Sequence, residues 1–557
     1  MNLRQLLDRG TALSRQRLAA RVLPVGIAAT ALTVAGSFTP WATFSGYPGK
    51  ASLAGFPGGA RIFTLLLAIG MVAALLRPVG GRRRAGLLCA AGIVAISLAN
   101  AWSITGQGGG LVNVAYGVWL AAVGGALGVA AFAALPDDEP VALRPHWPRA
   151  VEYALLAGVV GLGLYAVVVA LAIGEPSRFL SYLVFLGFAV SAASAVGAMA
   201  LLPKLYNRHQ PVALGLILLA GIAFPFTQNG NATWLRVAAT IGTLTVAAIG
   251  LNIVVGLAGL LDLGYIAFFG VGAYVGGIFS GAGRSSIHVH LPFLVVMLLA
   301  ALIAGTFGLI IGAPTLRLRG DYLAIVTLAF GEIFRIVANN LDGTAGPNVT
   351  RGPNGISGIP DLKIGALDIG APHTVFGVDL PYFANYYFLE LLMLVIVMVI
   401  FSRLNASRIG RAWVAIREDE TAAAAMGINT IKLKLLAFAI GACLAGAAGS
   451  MSAHVGTQVS PESFTFIESV LLLAAVVLGG MGTIPGALLG ASALAIIPEK
   501  LRFLQDKRLL VFGIALILMM RFRPEGIVPN KRRRREFHDE TGGGDAMSAA
   551  PGGPVAT

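Results

Sequence analysis

Charge is what this sequence is shortest of. Asp, Glu, Lys and Arg make up 12% of its 557 residues, about half the share of a typical soluble domain. A length that would suit about four soluble domains cannot be covered with water-facing side chains from so few charges. The hydrophobic share of 57% and the mean hydropathy of +0.81 also exclude disorder as the main state. Cysteine is nearly absent. Cys89 and Cys443 both lie in apolar runs, which excludes a disulfide framework and leaves two small side chains expected to be buried. The seven histidines are scattered, with no HExxH and no paired ligand spacing, so no metal site is expected. GxxxxGK[ST] does not occur and nothing resembles a nucleophile elbow. Neither catalysis by this chain alone nor a cofactor is expected. The net charge of +14 lacks the interleaved aromatics of a nucleic-acid platform and reads as loops held on the cytoplasmic side.

What is present is a series of apolar runs. The segments 153–174, 179–203, 237–261, 263–283, 285–316, 435–461 and 469–498 contain no Asp, Glu, Lys or Arg. The stretch 85–136 is also charge-free and long enough for two spans. Shorter candidates are 22–39, 61–76, 210–227, 322–339, 384–402 and 509–520. Gly482 and Pro485 split 469–498 into two pieces, giving about 16 segments. The first run passes into Pro40 and Trp41 with no small-residue cleavage site, so it reads as a signal anchor. An all-α polytopic membrane protein follows. The 72 glycines, about twice the usual share, suit closely packed membrane helices. Placing both termini inside collects Arg77, Arg82–84, the 403–434 basic residues and the 531–535 run on the cytoplasmic face. The chain divides into residues 1–233, with about seven spans, a patterned block at 234–530, and a basic, Gly-rich tail at 531–557 expected to be disordered.

Polar groups inside spans carry the functional signal, since each is costly in lipid. The candidates are Asn252, Asp262, Glu332, Arg335, Asn339, Glu390 and Glu468. Glu332 and Arg335, at i and i+3, can pair on one helix face, either as an internal ion pair or along a substrate path. Asp262 is expected in a solvated turn, and Glu390 and Glu468 at a wet interface. The glycine spacings at 250–259 and 264–276 suit close packing or a pore wall. The loop 403–434 is too polar to enter the bilayer. Its centre, REDETAAAAM, reads as one helix ended by Gly427 as a C-cap, and suits docking into a partner's groove. The connection at about 340–382 is rich in Gly, Pro and Asn and long enough to serve a partner outside the membrane.

Taken together, GLNIVVGLAGLLDLGYIAFFGVGAYVGGI at 250–278, PTLRLRGDYLAIVTLAFGEIFRI at 314–336, GPNGISGIP at 352–360, GRAWVAIREDETAAAAMGI at 410–428, SPESFTFIES at 460–469, VVLGGMGTIPGALLGA at 476–491 and FRPEGIVP at 522–529 resemble a branched-chain amino acid ABC transporter permease of the LivM type. The resemblance covers about 234–530. It implies a type II importer-like permease core, here with extra N-terminal transmembrane helices, in a bacterial-type plasma membrane. It implies as partners a second homologous permease, two cytoplasmic ATP-binding subunits and an extracytoplasmic solute-binding protein that delivers Leu, Ile or Val. It also makes the loop with Arg417, Glu418, Asp419, Glu420, Ala423 and Gly427 the ATPase-coupling loop. The family's Glu-Ala-Ala…Gly register reads Thr421-Ala422-Ala423 here, with Glu420 one place earlier. Gly352, Asn354 and Ser357 fall on the binding-protein-facing loop. Asn252, Tyr265, Phe268, Tyr274, Glu332 and Arg335 are expected near the translocation path, in an alternating-access cycle. Related permeases carry urea, short amides or other amino acids. An ion-coupled secondary transporter, which needs no 403–434 loop, and a non-transport membrane protein are the readings from other classes.

Overall fold

The computed structural model describes residues 23–500, apart from 45–46, 48–50, 77–79, 137–146, 229, 282–288, 316–321, 345–346, 365–366 and 376, and short pieces between 507 and 528. The expected tail at 531–557 and most of the expected 509–520 span lie outside the described residues. Within them the fold is almost wholly helical. Ten helices are long and apolar enough to cross a membrane, with shorter apolar helices beside them.

Two compact units divide the chain at Phe224 and Pro225. The first contains α1 (Leu23–Phe38), α2 (Arg61–Leu76), α3 (Arg82–Gly108), α4 (Tyr116–Ala133), α5 (Arg149–Ala172), α6 (Pro176–Ala195), the short amphipathic α7 (Leu201–Arg208) and most of α8 (Gln210–Thr227). Its core is filled by Phe63, Leu67 and Met71 of α2, Ile93 and Ile96 of α3, Phe132 of α4 and Tyr182 of α6. Several polar side chains inside it are paired, as a low-dielectric interior favours. Asn100 accepts from the Tyr47 hydroxyl at 3.0 Å and donates to Ser181 Oγ at 2.8 Å. Fully buried Glu152 takes both Arg208 at 2.7 Å and His209 at 2.6 Å.

The second unit runs through α9 (Ala232–Leu251), which continues as a π-helix (Asn252–Leu257), then α10 (Tyr265–Phe279), α11 (Phe293–Thr315), α12 (Tyr322–Asn340), α13 (Tyr382–Ala406), α14 (Arg408–Glu418), α15 (Glu420–Ala425), α16 (Thr430–Gly456), α17 (Phe466–Gly479) and α18 (Ile484–Lys500). Helix α16 is the spine, packed against α9, α10 and α11. Its approach to α10 is so close that a Cβ at Gly272 would collide with the Gly446 carbonyl, the glycine contact that membrane helices use in place of a hydrophobic driving force. The chain passes back and forth between two ends. One carries the 407–429 loop and the turn at 258–264. The other carries 341–381 and 457–465, where β1 (Ile356–Ser357) pairs antiparallel with β6 (Gln458–Val459). Two further small hairpins, β2 (Lys363–Ile364) with β3 (Leu367–Asp368) and β4 (His373–Val375) with β5 (Val378–Leu380), fold the 341–381 connection.

Fifteen of the expected segments fall on helices α1–α6, α8–α13 and α16–α18. A break at 480–483, which contains Gly482, separates α17 from α18 as expected, with Pro485 in the first turn of α18. Four local expectations are corrected. REDETAAAAM is not one helix: Asp419 is extended (φ −152°, ψ 109°) and its carboxylate caps α15 through the Thr421 and Ala422 N–H groups. A side chain that satisfies two otherwise orphaned donors outweighs helix propensity there. Asp262 is fully buried rather than solvated. Glu390 is buried against α9, where it accepts from the Thr243 hydroxyl, rather than wet. Cys89 is buried, but Cys443 is only half-buried.

Candidate functional site: two polar ends of the second unit

The loop end is built by local capping. Ser407 caps α14, accepting from Gly410 N at 3.2 Å, and Asp419 caps α15. Helix α15 closes with Gly427 at φ 83°. Gly427 N donates to Ala424 O at 3.0 Å and Ile428 N to Ala423 O at 3.1 Å, the paired bonds of a left-handed helix terminus. Of this short helix, Ala423 points inward while Thr421, Ala422, Ala424, Ala425 and Met426 are exposed. Met426, at 83% exposure, forms the tip. Glu418, Asp419 and Glu420 are likewise exposed. The loop thus offers a small-sided helix with an acidic start and a single flexible apolar tip.

This surface is fastened to the membrane helices at three points. Buried Trp413 donates from Nε1 to Leu433 O at 2.7 Å. Lys434 pairs with Glu420. Arg417 donates to Gly256 O at 2.9 Å and reaches Glu418 at 2.8 Å. The Gly256 carbonyl belongs to the π-helix, whose wider turn frees backbone groups and recurs at functional sites. At its start, fully buried Asn252 accepts from Gly482 N at 2.6 Å and donates to Thr483 O at 3.0 Å. The π-helix therefore connects the loop to the turn that breaks α17 from α18. Asp262, in the turn between the π-helix and α10, accepts from Gly264 N at 3.0 Å with one oxygen. Its other oxygen has no partner among the described residues. Burial pushes its carboxyl up to about 7.

The opposite end gathers different chemistry. Thr350 donates to Ala338 O at 2.6 Å, fixing the chain as it leaves α12. Gly352 is buried in the tight turn before Asn354, which is exposed, and Ser357 lies in the β1–β6 pair. The turn after β6 carries Glu462 to Arg335 at 3.5 Å, and Arg335 holds Glu332 at 3.0 Å. Aromatic rings lie beside these charges. Tyr274 meets Phe334 and Phe464, each with ring centroids 6.1 Å away, and further along α10, inside the unit, Phe268 meets Phe330 at 5.2 Å.

The expected path residues therefore separate into two groups. Asn252, Tyr265 and Phe268 are packed inside the unit. Asn252 spends both polar atoms on the broken-helix turn, and Tyr265 donates to Gly441 O at 2.7 Å. Tyr274, Glu332 and Arg335 come together near the end that carries Gly352, Asn354 and Ser357. Sequence reasoning named Gly482 only as a break, and missed Glu462, Thr483 and the pairing of Gly482. These residues lie more than a hundred residues from their partners and have no local periodicity to reveal them. An acidic residue directly after Pro461 in a turn was the only available signal for Glu462. Among the described residues no His, Cys, Asp and Glu group forms a metal site.

Comparison with known proteins bears on the second unit. The family described as branched-chain amino acid transport system, permease component, matches residues 233–520. The chain is 38% identical over 341 residues to the high-affinity branched-chain amino acid transport system permease protein LivM of Salmonella typhimurium, covering 58% of this chain and 76% of that protein. It is 37% identical over 380 residues to LivM of Escherichia coli, covering 65% and 85%. BraD of Pseudomonas aeruginosa, also a high-affinity branched-chain amino acid transport system permease protein, is 28% identical over 300 residues, covering 52% and 92%. No solved structure matches the chain.

Proposed function

Because the chain belongs to the branched-chain amino acid transport permease family, with LivM-type relatives, we propose that it is the membrane-spanning subunit of an ATP-driven importer of Leu, Ile or Val. It pairs with a second, similar permease, with two ATP-binding subunits at the 407–429 end and with a solute-binding protein at the 341–381 end. The observation that carries this reading is the family match together with the exposed, capped α15 and its bond to the π-helix through Arg417. A secondary transporter has no use for such a fastened polar loop.

ATP binding draws the two ATPases together and displaces α14 and α15. Arg417 passes that displacement to the π-helix, and Asn252 passes it to the turn between α17 and α18. The two conformations differ in free energy only through contacts such as these, which one state makes and the other loses. At the other end Gly352, Asn354 and Ser357 meet the binding protein. The amino acid then moves past Tyr274, Glu332 and Arg335, with Asn252, Tyr265 and Phe268 shaping the wall from behind. A mostly apolar path with a few placed polar groups suits an apolar side chain with a charged head.

The test is uptake of radiolabelled leucine into vesicles holding this chain with its neighbouring permease, ATPases and binding protein. Uptake that needs both ATP and the binding protein is the expected result. Uptake driven by an ion gradient without ATP overturns the importer reading. ATP-driven uptake of urea or an amide in place of leucine moves the substrate and leaves the machine.

A further inference from the structure

Helix α12 carries an unusual burden for a spanning helix. Glu332 stands eight residues before Asn340, the last residue of the helix, which puts it about 12 Å along the axis at the usual rise. That is close to the middle of the 19-residue helix. A carboxylate at that depth is expected to face protein or water, since lipid cannot solvate it. In this chain its side chain is 35% exposed and that of Arg335 29% exposed. The surrounding surface is apolar: Ile325, Ile333 and Ile336 are all exposed. Long side chains near a helix end can snorkel to the interface, but Glu332 is too short and too deep for that.

The charges also do not cancel. Arg335 is one cation between two carboxylates, Glu332 at 3.0 Å and Glu462 at 3.5 Å, and Glu462 is 63% exposed. An i, i+3 pair built only to hold a helix needs no third charge brought from another turn. The rings of Tyr274, Phe334 and Phe464 lie against one another, and Phe334 and Phe464 belong to the same two segments as Arg335 and Glu462. The Tyr274 hydroxyl is buried and has no hydrogen-bond partner among the described residues. Buried hydroxyls are seldom left so.

We propose that Glu332, Arg335 and Glu462 form the station that receives the zwitterionic head of the transported amino acid as it enters from the 341–381 end. The carboxylate turns to Arg335, which releases part of its hold on the two glutamates, and the ammonium takes up the carboxylates so freed. The net charge of the site does not change, because the incoming zwitterion is neutral and replaces one internal pair by two. The face of α12 with Ile325 and Ile336 borders the aqueous seam in the assembled transporter. This inference rests on the importer reading and deepens it.

The test uses the whole transporter in proteoliposomes. Glu332→Gln and Arg335→Gln are each expected to lower ATP-driven leucine uptake at least tenfold, with melting temperature and subunit assembly close to wild type. The double variant Glu332→Gln, Arg335→Gln separates the two roles. A merely structural ion pair is relieved when both charges go, so recovery of uptake to within twofold of wild type overturns the proposal. Continued loss supports it. A second measurement does not depend on transport. With Cys89 and Cys443 replaced by alanine, Ala329→Cys on the same exposed stripe is expected to react with a charged, membrane-impermeant thiol reagent. No reaction in the assembled complex places that stripe in lipid or in a dry interface and overturns the proposal. Failure of the wild-type transporter to take up leucine with ATP is a different result, which removes the importer reading itself.

Discussion

At the residue scale, Asn252 shows how one amide fixes two elements. Its side chain accepts from the Gly482 N–H, which the break between α17 and α18 leaves without a helical partner, and donates to the Thr483 carbonyl, which also accepts from Ala487 N of α18. Truncation to alanine strands the Gly482 N–H, and an unsatisfied buried polar group costs about 1–3 kcal/mol. Asn252→Ala is therefore expected to lower the melting temperature of the detergent-solubilised protein, with the chain still inserted. Asn252→Asp keeps an acceptor for Gly482 but sets a carboxylate against the Thr483 carbonyl in a fully buried site, so it is expected to melt below wild type as well. Equal melting of wild type and alanine variant removes the clamp. Asn252 was visible in the sequence as a polar residue in an apolar run, and that much follows from the cost of polar groups in lipid. Its partners were not visible, because they sit 230 and 231 residues away and nothing local encodes the pairing. Asp262 fails for a related reason: a carboxylate between two apolar helices looks like a wet turn until the packing that covers it is seen.

Elements differ in legibility according to whether their cause is local. The spanning helices were readable because length and apolar composition are local properties fixed by the bilayer. The π-helix was not, since Asn252–Leu257 reads as a continuation of α9 and its bond to Arg417 joins residues 161 apart. Helix α15 lies between these cases. Its end was readable at Gly427, where φ 83° is open to glycine and disfavoured elsewhere by roughly 1–2 kcal/mol. Its start was misjudged, because Ala-rich propensity masked the cap at Asp419. The consequence for function belongs to this element. Gly427→Val adds a branched side chain at a left-handed position with open space around it, so the strain falls on the backbone of the turn alone. We expect insertion and subunit assembly to persist while uptake per ATP hydrolysed falls severalfold. Unchanged coupling with the valine in place means that α15 does not carry the ATPase contact.

For the molecule as a whole, the two units have separate cores, one centred on α2, α3, α4 and α6 and the other on α9, α10 and α16. The family match begins at residue 233, close to where the units part. The sequence reading placed a division at 233 because the connections become long and patterned after it, whereas the contacts divide the chain by compactness at 224. Membrane helices can insert as individually stable units and pack afterwards, and the second unit carries its own apolar spans and basic loops. Removal of residues 1–200 is accordingly expected to leave a chain that is recovered in membranes and melts cooperatively. The measurement is the yield of membrane-inserted, monodisperse protein, followed by leucine uptake with the partner subunits. Retained insertion with retained uptake makes the first unit an accessory to transport. Retained insertion with lost uptake gives it a part in assembly, and no recovery from membranes at all means that the second unit depends on the first to fold.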